Sequence, residues 1–203
     1  MTAIVSAAGF ENPVHEAQAT FRAAMRALAE PGLAQAVTPA LLAPPPLQPA
    51  TAALLLALAD FETPIWLDPA ALAMDGLADF LRFQTGAPIV ADPSRAAFGV
   101  ITDAAAFDGL DRFAQGTLDY PDRSTTLILQ VDALAAEGAF ALSGPGIAGR
   151  RRLGVTPAIP GLARALAGNH EMFPRGVDLL LVAGDIVVGL PRSTRVTEDA
   201  ACM

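Results

Sequence analysis

The sequence predicts a layered α/β domain, and three observations carry that prediction. Short, almost uniformly apolar segments in the second half, such as Thr126 to Val131 and Val177 to Val182, have the composition of strands buried on both faces. Segments with helical spacing alternate with these strands, as a layered arrangement requires. Gly184-Asp185 separates two apolar runs by only two residues, the length of a tight antiparallel hairpin turn. A chain of 203 residues suits one sizeable core, so residues 1–203 are read as a single domain.

Taken in order, Asn12 followed by Pro13 has the form of an N-cap and a first helical turn. Val14, Ala17, Phe21, Ala24, Met25 and Leu28 then recur at helical spacing, which predicts an amphipathic first helix stopped by Pro31-Gly32. Arg22 and Arg26 flank its apolar stripe, available for an ion pair or a ligand. Five prolines between Pro39 and Pro49, with Pro44, Pro45 and Pro46 consecutive, predict a surface connection and no domain boundary. Ala52 to Ala59 is apolar throughout and reads as a helix buried all round. Short strands at Thr63 to Leu67 and Pro88 to Val90 bracket a helix near Leu77 to Thr85, which Gly86 closes. Strands are expected at Phe98 to Ile101, Thr126 to Val131, Ala139 to Leu142, Val177 to Val182 and Ile186 to Leu190. Helices are expected at Ala104 to Phe113 and Gly161 to Ala167. No internal repeat is visible.

Composition excludes more than it assigns. No apolar run reaches the roughly 18–20 residues of a membrane span, and the start lacks a cationic, apolar leader pattern. A cytoplasmic, unprocessed chain is the expectation. The formal charge of −8 opposes binding to nucleic acid. Apolar residues make up 53 %, above the roughly 45–50 % of an average soluble domain, so either the surface is rich in alanine or partners cover part of it. All 13 cationic residues are arginine. Without lysine the chain forms no Schiff base to pyridoxal phosphate and has no Walker-A lysine. An anion held by a full positive charge must meet a planar guanidinium.

Catalytic groups are scarce. His15 and His170 have no second histidine at ligand spacing, so no metal is expected. Cys202 is the single cysteine, which rules out an internal disulfide and a cysteine-held iron–sulfur cluster within the chain. No Gly-x-Ser-x-Gly elbow occurs. Anion binding is better supplied. Ser143-Gly144-Pro145-Gly146 follows a strand and precedes Arg150-Arg151-Arg152, so backbone N–H groups of the Gly144 to Gly146 loop could gather a phosphate, or the phrase could be a plain turn. The triple arginine is by default a solvated positive patch. Arg192 follows the last strand, where open α/β sheets bind ligands, or else closes a salt bridge at the hairpin mouth. Arg82 lies near a helix end and Arg175 in a loop.

Several phrases stand in an order that resembles one family. They are Phe21-Arg22 with Glu30-Pro31-Gly32, Leu142-Ser143-Gly144-Pro145-Gly146-Ile147, Phe173-Pro174-Arg175-Gly176-Val177-Asp178 and Leu190-Pro191-Arg192-Ser193-Thr194. Leu58-Ala59-Asp60 with Thr63-Pro64-Ile65-Trp66-Leu67, Leu81-Arg82-Phe83-Gln84-Thr85 and Thr126-Leu127-Ile128-Leu129-Gln130-Val131 extend the likeness through nearly the whole chain. The family is PhnH, the H subunit of bacterial carbon–phosphorus lyase. Arg150-Arg151-Arg152 and Arg175 depart from its pattern. The resemblance implies a three-layer α/β/α sandwich with a mixed sheet, similar to pyridoxal-phosphate transferases without the cofactor. It also implies a homodimer in isolation and partnership with the G, I and J subunits. The implied function is support for displacement of adenine from ATP by a phosphonate, giving ribose 1-phosphonate 5-triphosphate. Arg22, Arg82, Gly144, Gly146 and Arg192 are the ligand or interface candidates, with contact to ATP or phosphonate as one role; no residue is assigned to catalysis. A different-class reading is a free-standing acidic homodimer that binds a small anionic metabolite.

Overall fold

In the computed structural model, which describes residues 9–38 and 41–198, helix α1 spans Pro13–Ala29. The Asn12 side chain accepts from the backbone N–H of His15, satisfying a donor that a first turn leaves free. Glu16 accepts from the Asn12 N–H at 2.7 Å, which ties the start of the helix in the reverse direction. The chain continues through β1 (Gln35–Ala36), α2 (Pro49–Leu58), β2 (Ile65–Leu67), α3 (Pro69–Leu72), α4 (Leu77–Thr85) and β3 (Ile89–Val90). Then come β4 (Phe98–Ile101), β5 (Thr126–Gln130), β6 (Ala133–Ser143), β7 (Arg151–Thr156), α5 (Leu162–Glu171), β8 (Asp178–Ala183), β9 (Ile186–Leu190) and β10 (Arg195–Glu198).

Seven strands form one mixed sheet in the order β1-β9-β8-β5-β4-β2-β3. β8, β5, β4, β2 and β3 run parallel, while β9 is antiparallel to β8 and β1 to β9. The hairpin pairs Val182 with Val187 and Ala183 with Ile186, leaving Gly184-Asp185 as its two-residue turn. A second sheet has the order β10-β6-β7.

The period-two alternation of strands sends successive side chains to opposite faces, so the uniformly apolar strands feed two cores. Ile65, Leu67, Ile128, Leu180, Val182 and Val187 pack with α1, α2 and α4 on one face. Trp66, Leu127, Leu129, Leu179, Leu181 and Val188 pack on the other with Leu162 and Leu166 of α5 and with Phe140, Leu142 and Leu153 of the small sheet. Each fully buried leucine contributes roughly 1.5–3 kcal/mol against solvent exposure. The second face is therefore covered by a helix and a sheet together.

Several expectations are corrected. Ala104 to Phe113 is not a helix. Only a 3₁₀ turn forms at Ala104–Ala106, where the Asp103 side chain accepts from the Ala105 N–H, and Gly109 beyond it has φ +118°, outside helical space. Helix α2 starts at Pro49, ahead of the apolar run, because proline fits the first helical turn without losing a needed N–H. Ala139 to Leu142 is the end of the eleven-residue strand β6, whose register shifts between Ala135 and Phe140. Arg151 and Arg152 belong to strand β7, so the triple arginine is not merely a solvated patch.

The largest surprise is α1. Thr20, Ala24 and Ala27 are its buried side chains, while Val14, Phe21 and Met25 of the expected apolar stripe are exposed. The reason lies in β9: a Cβ on Gly189 would stand 2.4 Å from the Ala27 carbonyl oxygen, so helix and strand touch backbone to backbone. Only small side chains fit such an approach.

Candidate functional site

An open α/β sheet binds ligands at the carboxyl ends of its parallel strands, where successive connections leave in opposite directions. Here that place lies between β2 and β4: β2 is followed by β3 on one side, β4 by β5 on the other. It is filled from within. Asp68, buried just after β2, accepts from the Thr102 N–H at 2.6 Å, the Thr102 hydroxyl at 3.0 Å, the Ala71 N–H at 2.8 Å and the Asp103 N–H at 3.3 Å. These bonds satisfy a carboxylate whose burial would otherwise be costly.

The neighbouring strand end is closed similarly. Gln130, buried at the end of β5, donates to the Pro46 carbonyl at 3.0 Å and accepts from the Gln48 N–H at 2.7 Å. Gln48 donates in turn to the Val131 carbonyl and accepts from the Gly184 N–H. The proline-rich connection thus crosses this edge and is pinned there by two glutamines. Neither Asp68 nor the Gln48–Gln130 pair was among the sequence candidates. Asp68-Pro69 does carry a readable signal, an N-cap before a helix-starting proline.

Arg192 lies at the opposite edge. It follows the end of β9 as expected, but β9 runs antiparallel to β8, with Leu190 beside Leu179. Its position is therefore next to Asp178, at the amino ends of the parallel strands. There its Nε donates to Asp178 at 3.1 Å, Nη2 to Asp178 at 2.6 Å and to the Ser124 hydroxyl, and Nη1 to the carbonyls of Pro121 at 2.7 Å and Pro174 at 3.4 Å. A guanidinium has five N–H donors, and these contacts engage all of them. The salt bridge at the hairpin mouth is the reading the geometry supports.

Around this pair the motif phrases interlock. Asn169, buried in α5, accepts from the Val177 N–H at 2.7 Å and donates to its carbonyl at 2.8 Å. The Gly176 N–H donates to the Gln115 carbonyl, and a ring nitrogen of His170 stands 3.3 Å from the Arg192 carbonyl oxygen. Gly144 and Gly146 form part of the β6–β7 turn. Gly146 has φ +79°, and a Cβ there would lie 2.0 Å from the Ala29 carbonyl oxygen at the end of α1. A Cβ on Gly144 would stand 3.0 Å from the Ser193 carbonyl oxygen. Arg151 donates to the carbonyls of Glu30, at 3.2 Å, and Pro31, placing a cation at the carboxyl end of α1 where the helix dipole favours one. Glu30-Pro31-Gly32, Ser143-Gly144-Pro145-Gly146 and Pro191-Arg192-Ser193-Thr194 thus meet at one junction.

The arginine candidates do not share a location. Arg22 is exposed on α1, Arg82 is exposed on α4 and paired with Asp79 at 3.0 Å, and Arg192 is enclosed at the amino edge. Arg175 is exposed in its loop. Among the described residues no group of three or more His, Cys, Asp or Glu could hold a metal, and no helix is long and apolar enough to cross a membrane. Cys202 lies outside the described residues.

Comparison with known proteins identifies the family. The family model described as bacterial phosphonate metabolism protein (PhnH) matches residues 8–197. The alpha-D-ribose 1-methylphosphonate 5-triphosphate synthase subunit PhnH of Rhizobium meliloti (strain 1021) is 39 % identical over 194 residues, 94 % of each chain. The candidate C-P lyase subunit protein HtxG of Stutzerimonas stutzeri is 34 % identical over 86 residues, 42 % of this chain and 44 % of that one. With a family match along nearly its whole length and a relative 39 % identical over 94 % of the chain, the chain belongs to the PhnH family of bacterial phosphonate metabolism proteins.

Proposed function

We propose that the chain is a subunit of the carbon–phosphorus lyase core complex in organic phosphonate catabolism. In this reading it supports formation of ribose 1-phosphonate 5-triphosphate from ATP and a phosphonate, with adenine displaced, as one part of a multi-subunit transferase beside the G, I and J subunits. The observation that carries the proposal is the 39 % identity, over 94 % of both chains, to a protein named as a synthase subunit. The same reading makes it cytoplasmic, homodimeric in isolation, free of pyridoxal phosphate and built as a three-layer α/β/α sandwich.

The physical features support a subunit more than a self-sufficient catalyst. The crevice where such a sheet would take a ligand holds the chain's own Asp68, and the strand end beside it is closed by Gln130. The arginine best placed by sequence, Arg192, is fully engaged by internal acceptors. Val14, Phe21 and Met25 meanwhile present large apolar side chains to solvent, at spacings of seven and four residues that put them on one side of α1. A partner surface would bury them.

The test is to mix the purified chain with its G, I and J partners and follow size exclusion with light scattering. Co-elution in one species is expected; elution as a separate species under all conditions overturns the proposal. The second reading, a free-standing acidic homodimer that binds a small anion, is favoured by one feature, a cleft between two arginines on the small sheet.

A further inference from the structure

β10, β6 and β7 pair in that order, and the register sets Arg195 beside Ser143 and Thr197 beside Ala141. Leu142 and Val196 are buried in the core, so the alternation of a strand sends Ala141, Ser143, Arg195 and Thr197 to the outward face. On the other side Arg151 is paired with Leu142, which leaves Arg150 just ahead of the ladder, across from Ser143. Two strand spacings, roughly 10 Å, separate the backbones of the two arginines. Ser143, Arg150, Arg195 and Thr197, with Ala141 and Leu142 as the floor, line a cleft of about 220 Å³.

Two guanidiniums facing one recess repel each other, and an acidic chain has ready means to neutralise them. Arg82, Arg112 and Arg192 each have a carboxylate: Asp79 at 3.0 Å, Asp108 at 2.7 Å and Asp178 at 2.6 Å. Among the described residues neither Arg150 nor Arg195 has one, although acidic residues number 21 against 13 arginines. Among the described residues that line it, the cleft therefore has no carboxylate, and it offers two planar donors with the Ser143 hydroxyl between them.

We propose that this cleft binds a phosphate-type oxyanion, with Arg150 and Arg195 giving charge-assisted hydrogen bonds and the Ser143 hydroxyl fixing its orientation, while the Thr197 hydroxyl donates to the Ala141 carbonyl at 3.4 Å and shapes the wall. Arginine suits the task because its fork matches two oxygens of a tetrahedral anion at once. The volume is below the roughly 300–1,000 Å³ of a site for a drug-sized molecule, so the cleft takes the phosphoryl or phosphonyl group and leaves any attached nucleoside in solvent. The group has two sources, a free phosphate or phosphonate, or the phosphate chain of a nucleotide. The site needs only this chain and stands apart from assembly with other subunits.

The test is calorimetric titration of the full chain with inorganic phosphate, methylphosphonate, ATP and, as a planar control, acetate. Saturable binding of at least one of the first three is expected, stronger than acetate and weakened by salt. The Arg150→Ala/Arg195→Ala variant should lose at least tenfold in affinity, and the double lysine variant should recover only part of it. Binding of phosphate or methylphosphonate without ATP assigns the free oxyanion; binding of ATP without the small anions assigns the nucleotide. Both support the site. No binding of the three anions, acetate as tight as phosphate, or an unimpaired double alanine variant overturns it. Should that variant fail to fold, the Nε–H resonances of Arg150 and Arg195 in the unaltered chain decide the matter: both must shift on addition of a binding anion, and their constancy overturns the proposal. Failure to co-elute with partner subunits leaves these outcomes unchanged, so the two readings fall separately.

Discussion

At the mouth of the β8–β9 hairpin Arg192 is enclosed by acceptors, whereas three residues later, on the outer face of the small sheet, Arg195 meets no carboxylate among the described residues. The two arginines have the same chemistry and nearly the same chain position. What separates them is the surface each reaches. Arg192 turns toward the end of a buried strand, where an aspartate, a serine hydroxyl and two carbonyls already converge. Arg195 stands on an exposed strand whose outward neighbours are short. An arginine is thus a strut or a receptor according to how many acceptors the fold has set around it, and sequence spacing does not count acceptors.

The hardest blow to that comparison comes from Arg192→Ala. It leaves Asp178 partly buried without its cation, and about 3 kcal/mol of stability should be lost, the lower end of the cost of breaking a buried pair because the two side chains keep 12 % and 23 % exposure. Urea unfolding measures this, and Arg192→Lys should recover little, since a compact ammonium cannot span Asp178, Ser124 and two carbonyls. A loss below 1 kcal/mol on the order expected for surface pairs would dissolve the contrast. Gly146→Ala probes the junction between the regions. It puts a Cβ against the Ala29 carbonyl at a left-handed φ and should cost about 2 kcal/mol, read from the same unfolding curves.

Asp68→Asn carries the comparison to the carboxyl edge. An amide NH₂ replaces an oxygen that now accepts N–H and O–H donors, and about 1.5 kcal/mol should be lost at neutral pH by thermal or urea unfolding. The smallest effect sharpens the other side. Arg195→Ala should change stability by no more than about 0.5 kcal/mol, the usual result at an exposed position outside any network. A larger destabilisation would show that Arg195 is a second strut.

Much of the fold is legible in the sequence because its signals are local. The cap at Asn12, the close of α4 at Gly86, strand β4 at Phe98–Ile101 and the Gly184-Asp185 turn each follow from residues within a few positions of one another. What escapes the sequence depends on contacts far along the chain. Strands β1 and β10 and the arginines of β7 are ordered by partners, Val187 for Gln35, Leu142 for Val196 and for Arg151, that no local pattern announces. Helix α1 looks amphipathic in the ordinary sense, yet Gly189 draws its alanine side inward and leaves Phe21 and Met25 outside.

The candidate site follows the same division. The phrases Ser143-Gly144-Pro145-Gly146 and Pro191-Arg192-Ser193-Thr194 are visible in the sequence, but not that Gly146 abuts Ala29 or that Arg192 is saturated. Arg192 follows the end of its strand, as expected, but that strand runs against β8. The hairpin turn was foreseen, and its reversal of β9 moves Arg192 to the amino edge.

The seven-stranded sheet ends on two-residue strands at both sides, β1 at Gln35–Ala36 and β3 at Ile89–Val90. So short a border offers almost no backbone template on which a foreign strand could lengthen the ladder. For a chain this apolar, that closes the commonest route to fibrous self-association through its main sheet. Along this sheet, neighbours must therefore be chosen by side-chain relief on the flanks, a code that point substitutions can rewrite one contact at a time.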